Sequence, residues 1–117
     1  MTVAIVRIYD ESEPTPGYRV LVDRVWPRGI TRQRAALDEW LKDVAPSTEL
    51  RRWFGHDDSR WEEFLQRYRE ELAQSPALDH LRELVAAHPR VVLLYGAKNV
   101  EHNQAVALGS LLTDSAP

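Results

Sequence analysis

Hydrophobic residues follow two rhythms along this chain of 117 residues, and the switches between them predict the order of its elements. Residues 3–9, Val-Ala-Ile-Val-Arg-Ile-Tyr, are rich in β-branched and aromatic side chains and read as a strand. Pro14, Pro16 and Gly17 mark a loop over 10–17. Residues 18–25 form a second strand, and its Val20-Leu21-Val22 run predicts burial on both faces. Pro27 ends it, because proline has no N–H for a ladder and biases Trp26 away from helix.

The spacing then lengthens. Leu37, Trp40, Leu41 and Val44 recur at i, i+3, i+4 and i+7 and predict a helix that Pro46 stops. Ser47 or Thr48 caps a short turn carrying Leu50, Trp53 and Phe54, closed by Gly55. Asp58 or Ser59 opens a longer helix, with Ser59 and Glu62 as a capping box and a stripe of Trp61, Phe64, Leu65, Tyr68 and Leu72. At Ser75-Pro76 an N-cap is followed by proline at the first helical position, which starts a helix facing inward through Leu78, Leu81 and Val85. Residues 91–95 are a third strand. Gly96-Ala97-Lys98 is a turn, and Asn99 caps a last helix with Ala105, Leu108, Leu111 and Leu112 inward.

The order implies an α/β fold, one domain over residues 1–117, with a three-stranded, mostly parallel sheet flanked by about five helices. The link from the second strand to the third is helical and long enough for a right-handed crossover, so those two run parallel and their C-terminal ends share one edge. Residues 10–17 are too few for a helical crossover, which favours an antiparallel first pair. Fully extended, however, eight residues span about 26 Å, enough to return along a strand of about 17–20 Å. Both arrangements stay open on spacing alone.

Composition narrows the class. With 44% hydrophobic and 28% charged residues the chain is an ordinary globular one. No apolar run approaches the roughly 20 residues that span a bilayer, and the first residues lead straight into strand without a signal-like pattern. The expectation is a cytoplasmic protein. The absence of Cys removes disulfides, thiol nucleophiles and thiolate zinc sites. Net charge is −3, which argues against a general nucleic-acid coat. Segment 19–34 nevertheless holds five Arg (Arg19, Arg24, Arg28, Arg32, Arg34) against one acid, Asp23, for a local charge of +4.

In open α/β sheets ligands gather beyond the carboxyl ends of the strands. That edge would carry residues 23–29 and 95–99. Arg24, Arg28 and Lys98 beside a helix N-terminus make a candidate anion site, with Asn99 and Asn103 as further ligand contacts. Trp26, in a loop between cationic residues, is the candidate to stack on a planar ligand. His102, in the first turn of the last helix, and Asp23 are the candidate proton-handling pair, provided that they lie within hydrogen-bond reach. The competing reading has Asp23 paired with Arg24 or Arg28 merely to tie down a strand end. His56 with Asp57 invites a metal reading, but such loops are more often helix punctuation, and no metal or cofactor is expected. Walker and dinucleotide glycine patterns are missing. Trp40 and Trp61 are read as core, and Trp53 as packing. An enzyme and a binding protein are both compatible with this set. The alternatives are a nucleic-acid-binding module built on segment 19–34 and a protein-interaction domain using exposed Trp and Arg.

Several segments also carry a family likeness. Residues 7–10, 18–29, 40–43, 45–51 and 53–57, then Leu94-Tyr95-Gly96-Ala97-Lys98 and Glu101-His102-Asn103-Gln104-Ala105, resemble the YeaO-like proteins, part of the larger domain-of-unknown-function 488 (DUF488) grouping. The likeness covers nearly the whole chain and implies a fold more than a chemistry. In the larger grouping an Asp-x-Arg segment ends one strand and a Cys-His-Arg cluster opens the last helix. This chain keeps Asp23, Arg24 and His102 but reads Glu101-His102-Asn103, so a thiol mechanism does not carry over. The relatives place a helix between the first two strands, which implies that those strands are parallel here as well.

Overall fold

The computed structural model describes residues 2–55 and 57–114. Among them the strands are β1 (Thr2–Arg7), β2 (Tyr18–Leu21), β3 (Glu39–Trp40) and β4 (Arg90–Tyr95), in the order β1-β4-β2-β3, with every neighbouring pair parallel. The helices are α1 (Arg32–Ala35), α2 (Thr48–Phe54), α3 (Trp61–Ala73), α4 (Pro76–Ala87) and α5 (Gln104–Asp114). No helix among the described residues is long and apolar enough to cross a membrane.

The first two strands are thus parallel, one on each side of β4. The return between them is locked by charge. Arg19, 4% exposed, forks onto Glu11 with bonds of 2.9 and 2.8 Å, and the Thr15 N–H donates to the same carboxylate at 2.8 Å. Burial alone would raise the Glu11 carboxyl, but the Arg19 and Thr15 hydrogen bonds outweigh it and hold the group at about 2. Arg19 spends its remaining donors on the carbonyls of Thr15, Ala35 and Ala36.

Strand alternation divides the core in two. Val20, Val22, Val91, Leu93 and Tyr95 join the inward faces of α2, α3, α4 and α5, while Leu21, Val92 and Leu94 join Ile8 and Ala35 under Trp26, Ile30, Leu37 and Trp40. The helix expected over 37–44 is absent, and its place is taken by a fourth strand that the spacing did not reveal. Leu37 and Trp40 face one core, whereas Leu41 and Val44 face the other. A stripe split between two faces of a sheet mimics helical periodicity. Backbone bonds decide the matter, since Asp38 N–H donates to the Arg19 carbonyl and Leu41 N–H to that of Leu21, both at 2.9 Å.

Two caps also differ from expectation. Asp57, not a Ser59–Glu62 box, accepts from Ser59 N–H and opens the 3₁₀ turn Asp58–Arg60 ahead of α3. In α5, Asn103 is the capping residue, accepting from Val106 N–H at 3.0 Å. Asn99 instead closes its own turn, accepting from the N–H groups of Glu101 and His102. The Ser75 cap with Pro76 behind it and the left-handed Gly55 at the end of α2 stand as expected.

Candidate functional site

A cleft of about 540 Å³ opens beyond the carboxyl ends of β2 and β4, within the usual range for small-molecule sites. Asp23, Arg24 and Val25 reach it from the end of β2, and Ala97, Asn99, His102, Asn103 and Gln104 from the segment leading into α5. The chain after the 3₁₀ turn Lys42–Val44 adds Ala45, Pro46 and Thr48, and α2 adds Arg51, Arg52, Phe54 and Gly55. Phe64 of α3, 2% exposed, completes an apolar part of the lining.

Asp23 is fastened from three sides. Its Oδ2 accepts the Gly96 N–H at 2.8 Å, its Oδ1 accepts the Gln104 amide, and its carbonyl accepts the Trp40 indole N–H at 2.7 Å. The approach is close, and a Cβ at Gly96 would lie a tight 3.1 Å from Asp23 Oδ2. Burial raises the Asp23 carboxyl from its ordinary 3.8 to about 6, against the pull of the Gly96 N–H, the Arg51 charge and Gln104. A carboxyl poised there exchanges protons near neutral pH.

The cationic side is Arg24, Arg51 and Arg52. Among the described residues none of the three lies within ion-pair distance of a carboxylate, whereas Arg7, Arg19, Arg34, Arg60, Arg67 and Arg82 all do. Arg24 donates one Nη2 bond to the Ala45 carbonyl at 3.1 Å, and its buried Nε has no partner. The competing reading, Asp23 paired with Arg24 or Arg28, is not formed: neither arginine makes an ion pair with it.

His102 lines the same cleft but does not pair with Asp23. Its Nδ1 donates to Asp58 Oδ1 at 2.7 Å, and its ring stacks on Trp61 with centroids 4.6 Å apart. The Asn99 amide donates to that Asp58 oxygen at 2.9 Å. The His102 bond holds the Asp58 carboxyl below its ordinary range, against the opposing effect of desolvation.

Of the sequence candidates, Asp23, Arg24, Asn99, His102 and Asn103 thus meet at the cleft, while Trp26, Arg28 and Lys98 fall outside its lining. Trp26 packs on the opposite face of the sheet, edge-on to Trp40, with its indole N–H on the Ile30 carbonyl at 2.6 Å. Arg28 and Lys98 are exposed. The basic segment is likewise no continuous surface: Arg19 and Arg34 converge on Glu11, and Arg32 lies over Trp26. His56 of the metal reading lies outside the described residues, and among those described no group of three His, Asp or Glu is placed to hold a metal. Sequence reasoning missed Arg51, Arg52, Gln104 and Asp58. Arg51 and Arg52 had one signal, since they sit between the inward Leu50 and Phe54 of α2.

These features can be set beside known proteins. Residues 2–116 match the family described as the inactive DUF488-N3 subclade. The chain belongs to the DUF488 family. It is 42% identical over 112 residues to the uncharacterized protein YeaO of Escherichia coli, covering 96% of this chain and 97% of that one. It is 43% identical over 110 residues to the uncharacterized protein Rv3073c of Mycobacterium tuberculosis, covering 94% and 92% respectively. No solved structure matches.

Proposed function

We propose that this DUF488 domain binds a small anionic organic molecule in the cleft at the carboxyl edge of its sheet, and holds it without chemical turnover. One observation carries the reading: three guanidinium groups, Arg24, Arg51 and Arg52, line a single cavity and have no carboxylate partner among the described residues. The one carboxylate in the lining, Asp23, offsets at most one of the three charges, and guanidinium groups suit phosphate and carboxylate oxygens. Binding rather than turnover is supported by the family's description as inactive, by the absence of Cys, and by the separate partners of Asp23 and His102. A nucleic-acid surface on segment 19–34 lacks support, because its first and last arginines are spent on Glu11.

The test is calorimetric titration with inorganic phosphate and adenosine 5′-monophosphate, for the native chain and for the Arg51→Ala/Arg52→Ala double variant. A lost charged hydrogen bond costs about 1.5–3 kcal/mol, or roughly ten- to 150-fold in affinity. The double variant is expected to lose at least the lower figure with its fold intact. Equal affinities in the two proteins, or no binding to the native one, would overturn the reading.

A further inference from the structure

The cleft's charges point to a narrower class of ligand, if it is an anion site as just argued. Three guanidinium groups against one lining carboxylate, Asp23, leave two net positive charges when Asp23 is ionised. A carboxylate can be satisfied by one arginine fork and supplies a single charge. A phosphate monoester carries about −1.5 to −2 at pH 7 and three terminal oxygens. It matches both the charge and the number of donors.

His102 adds a discriminating contact. Because Nδ1–H is committed to Asp58, Nε2 is the ring nitrogen left for the cleft. Three contacts hold it in that pose: the Asp58 bond at 2.7 Å, the Trp61 ring behind it, and Asn99, which accepts the His102 backbone N–H while donating to Asp58. In the neutral ring held this way Nε2 is an acceptor, and in the protonated ring it is a donor. A phosphate monoester meets either form, since its last proton dissociates near pH 6. The neutral ring accepts from the hydrogen-phosphate form and the protonated ring donates to the dianion, and in both pairings one proton lies between Nε2 and a phosphate oxygen. A phosphodiester has no such proton to share.

We propose that the cleft's ligand is the phosphate monoester of a compact organic group, with His102 Nε2 on a terminal phosphate oxygen and Asp58 as the residue that positions His102. The arginines take the remaining phosphate oxygens. Val25, Pro46, Phe54 and Phe64 offer the organic part an apolar surface, and bare phosphate is far too small to occupy about 540 Å³.

Matched probes test this at one pH: phenyl phosphate and adenosine 5′-monophosphate as monoesters, methyl phenyl phosphate and 3′,5′-cyclic AMP as diesters, and benzoate as the carboxylate. Monoesters are expected to bind at least tenfold more tightly than the other three. Asp58→Asn and His102→Gln are each expected to weaken monoester binding roughly tenfold, and the double variant no more than His102→Gln alone. Nitrogen-15 spectra of the free native protein are expected to show neutral His102 as the Nδ1–H tautomer, with that preference lost in Asp58→Asn. Equal affinity for diesters or benzoate, independent effects of the two substitutions, or an Nε2–H tautomer in the native protein would each overturn the proposal. If one of these occurs while Arg51→Ala/Arg52→Ala still abolishes anion binding, the anion site stands and only its assignment to monoesters falls. If no probe binds the native protein, both fall.

Discussion

Arg19 in β2 and Arg24 just beyond it come from the same stretch of chain, yet their surroundings differ completely. Arg19 and Glu11 are both buried, every guanidinium nitrogen of Arg19 donates, and the carboxyl is driven down to about 2. Arg24 makes one hydrogen bond and leaves its Nε unpartnered, while nearby Asp23 is driven up to about 6. The first arrangement is complete in itself and stitches the β1–β2 return to the end of α1. The second has charge to spare on both signs and faces a cavity. Saturation, more than the presence of charge, separates a structural ion pair from a site.

The largest effect should come from breaking the closed pair. Glu11→Gln leaves Arg19 buried without its counter-charge, which typically costs about 3–5 kcal/mol. Urea denaturation should show a fall of that size, and a loss below about 1 kcal/mol would mean that the pair does not secure the return. Its acid sensitivity has a definite sign. A carboxyl held at about 2 contributes stability that is present above its ordinary 4.5 and drains away as pH falls through about 2. Asp23 behaves in the opposite way. Its raised carboxyl favours folding fully below 3.8, and that contribution is lost as pH rises through about 6. A rise from 3.8 to about 6 corresponds to roughly 3 kcal/mol against the ionised form. Asp23→Asn, with the Gln104 amide turned to accept, should therefore stabilise the free protein by up to about that amount at pH 8 and by little below pH 4. Thermal unfolding across that range checks it, and a gap independent of pH would remove the strained carboxylate from the picture.

The contrast between the two regions also explains what could be read in advance. Strands β1, β2 and β4, helices α2 to α5, and the sheet edge where a ligand would sit follow from local periodicity and from the rule for parallel sheets, whereas the four-residue α1 gave no periodic signal. Asp23, Arg24 and His102 were legible because they adjoin strand ends or open a helix. Arg51, Arg52 and Asp58 were harder to place, because what recruits them is the folding of α2 and the Asp58–Arg60 turn over the sheet, and the one local signal for the two arginines was their position between the inward Leu50 and Phe54. Trp26 misled for a related reason. Flanking charge suggested exposure, but Leu21 and Leu94 beneath the same face of the sheet need covering, and Trp26 with Trp40 covers them. β3 was hidden because residues alternating between two cores happened to fall at helical intervals.

Smaller substitutions sharpen the open region. Gly96→Ala sets a Cβ 3.1 Å from Asp23 Oδ2 and crowds the Gly96 N–H bond. A net loss of about 0.5–1.5 kcal/mol is expected for one weakened hydrogen bond, with the Asp23 titration, followed by carboxyl carbon-13 shifts, moving above about 6, since that bond is what opposes burial most strongly. An unmoved titration would mean that Gly96 supplies space and nothing more. The smallest effect belongs to Arg28→Ala and Lys98→Ala. Both residues are exposed and outside the cleft lining, and charges held in solvent are screened by salt far more than those inside a cavity. Phosphate affinity should stay within about twofold in either variant at about 0.1 M salt. A tenfold loss in either would move the anion from the cleft to the outer edge of the sheet, and would make the spare charge of Arg24 and Asp23 a property of packing instead of binding.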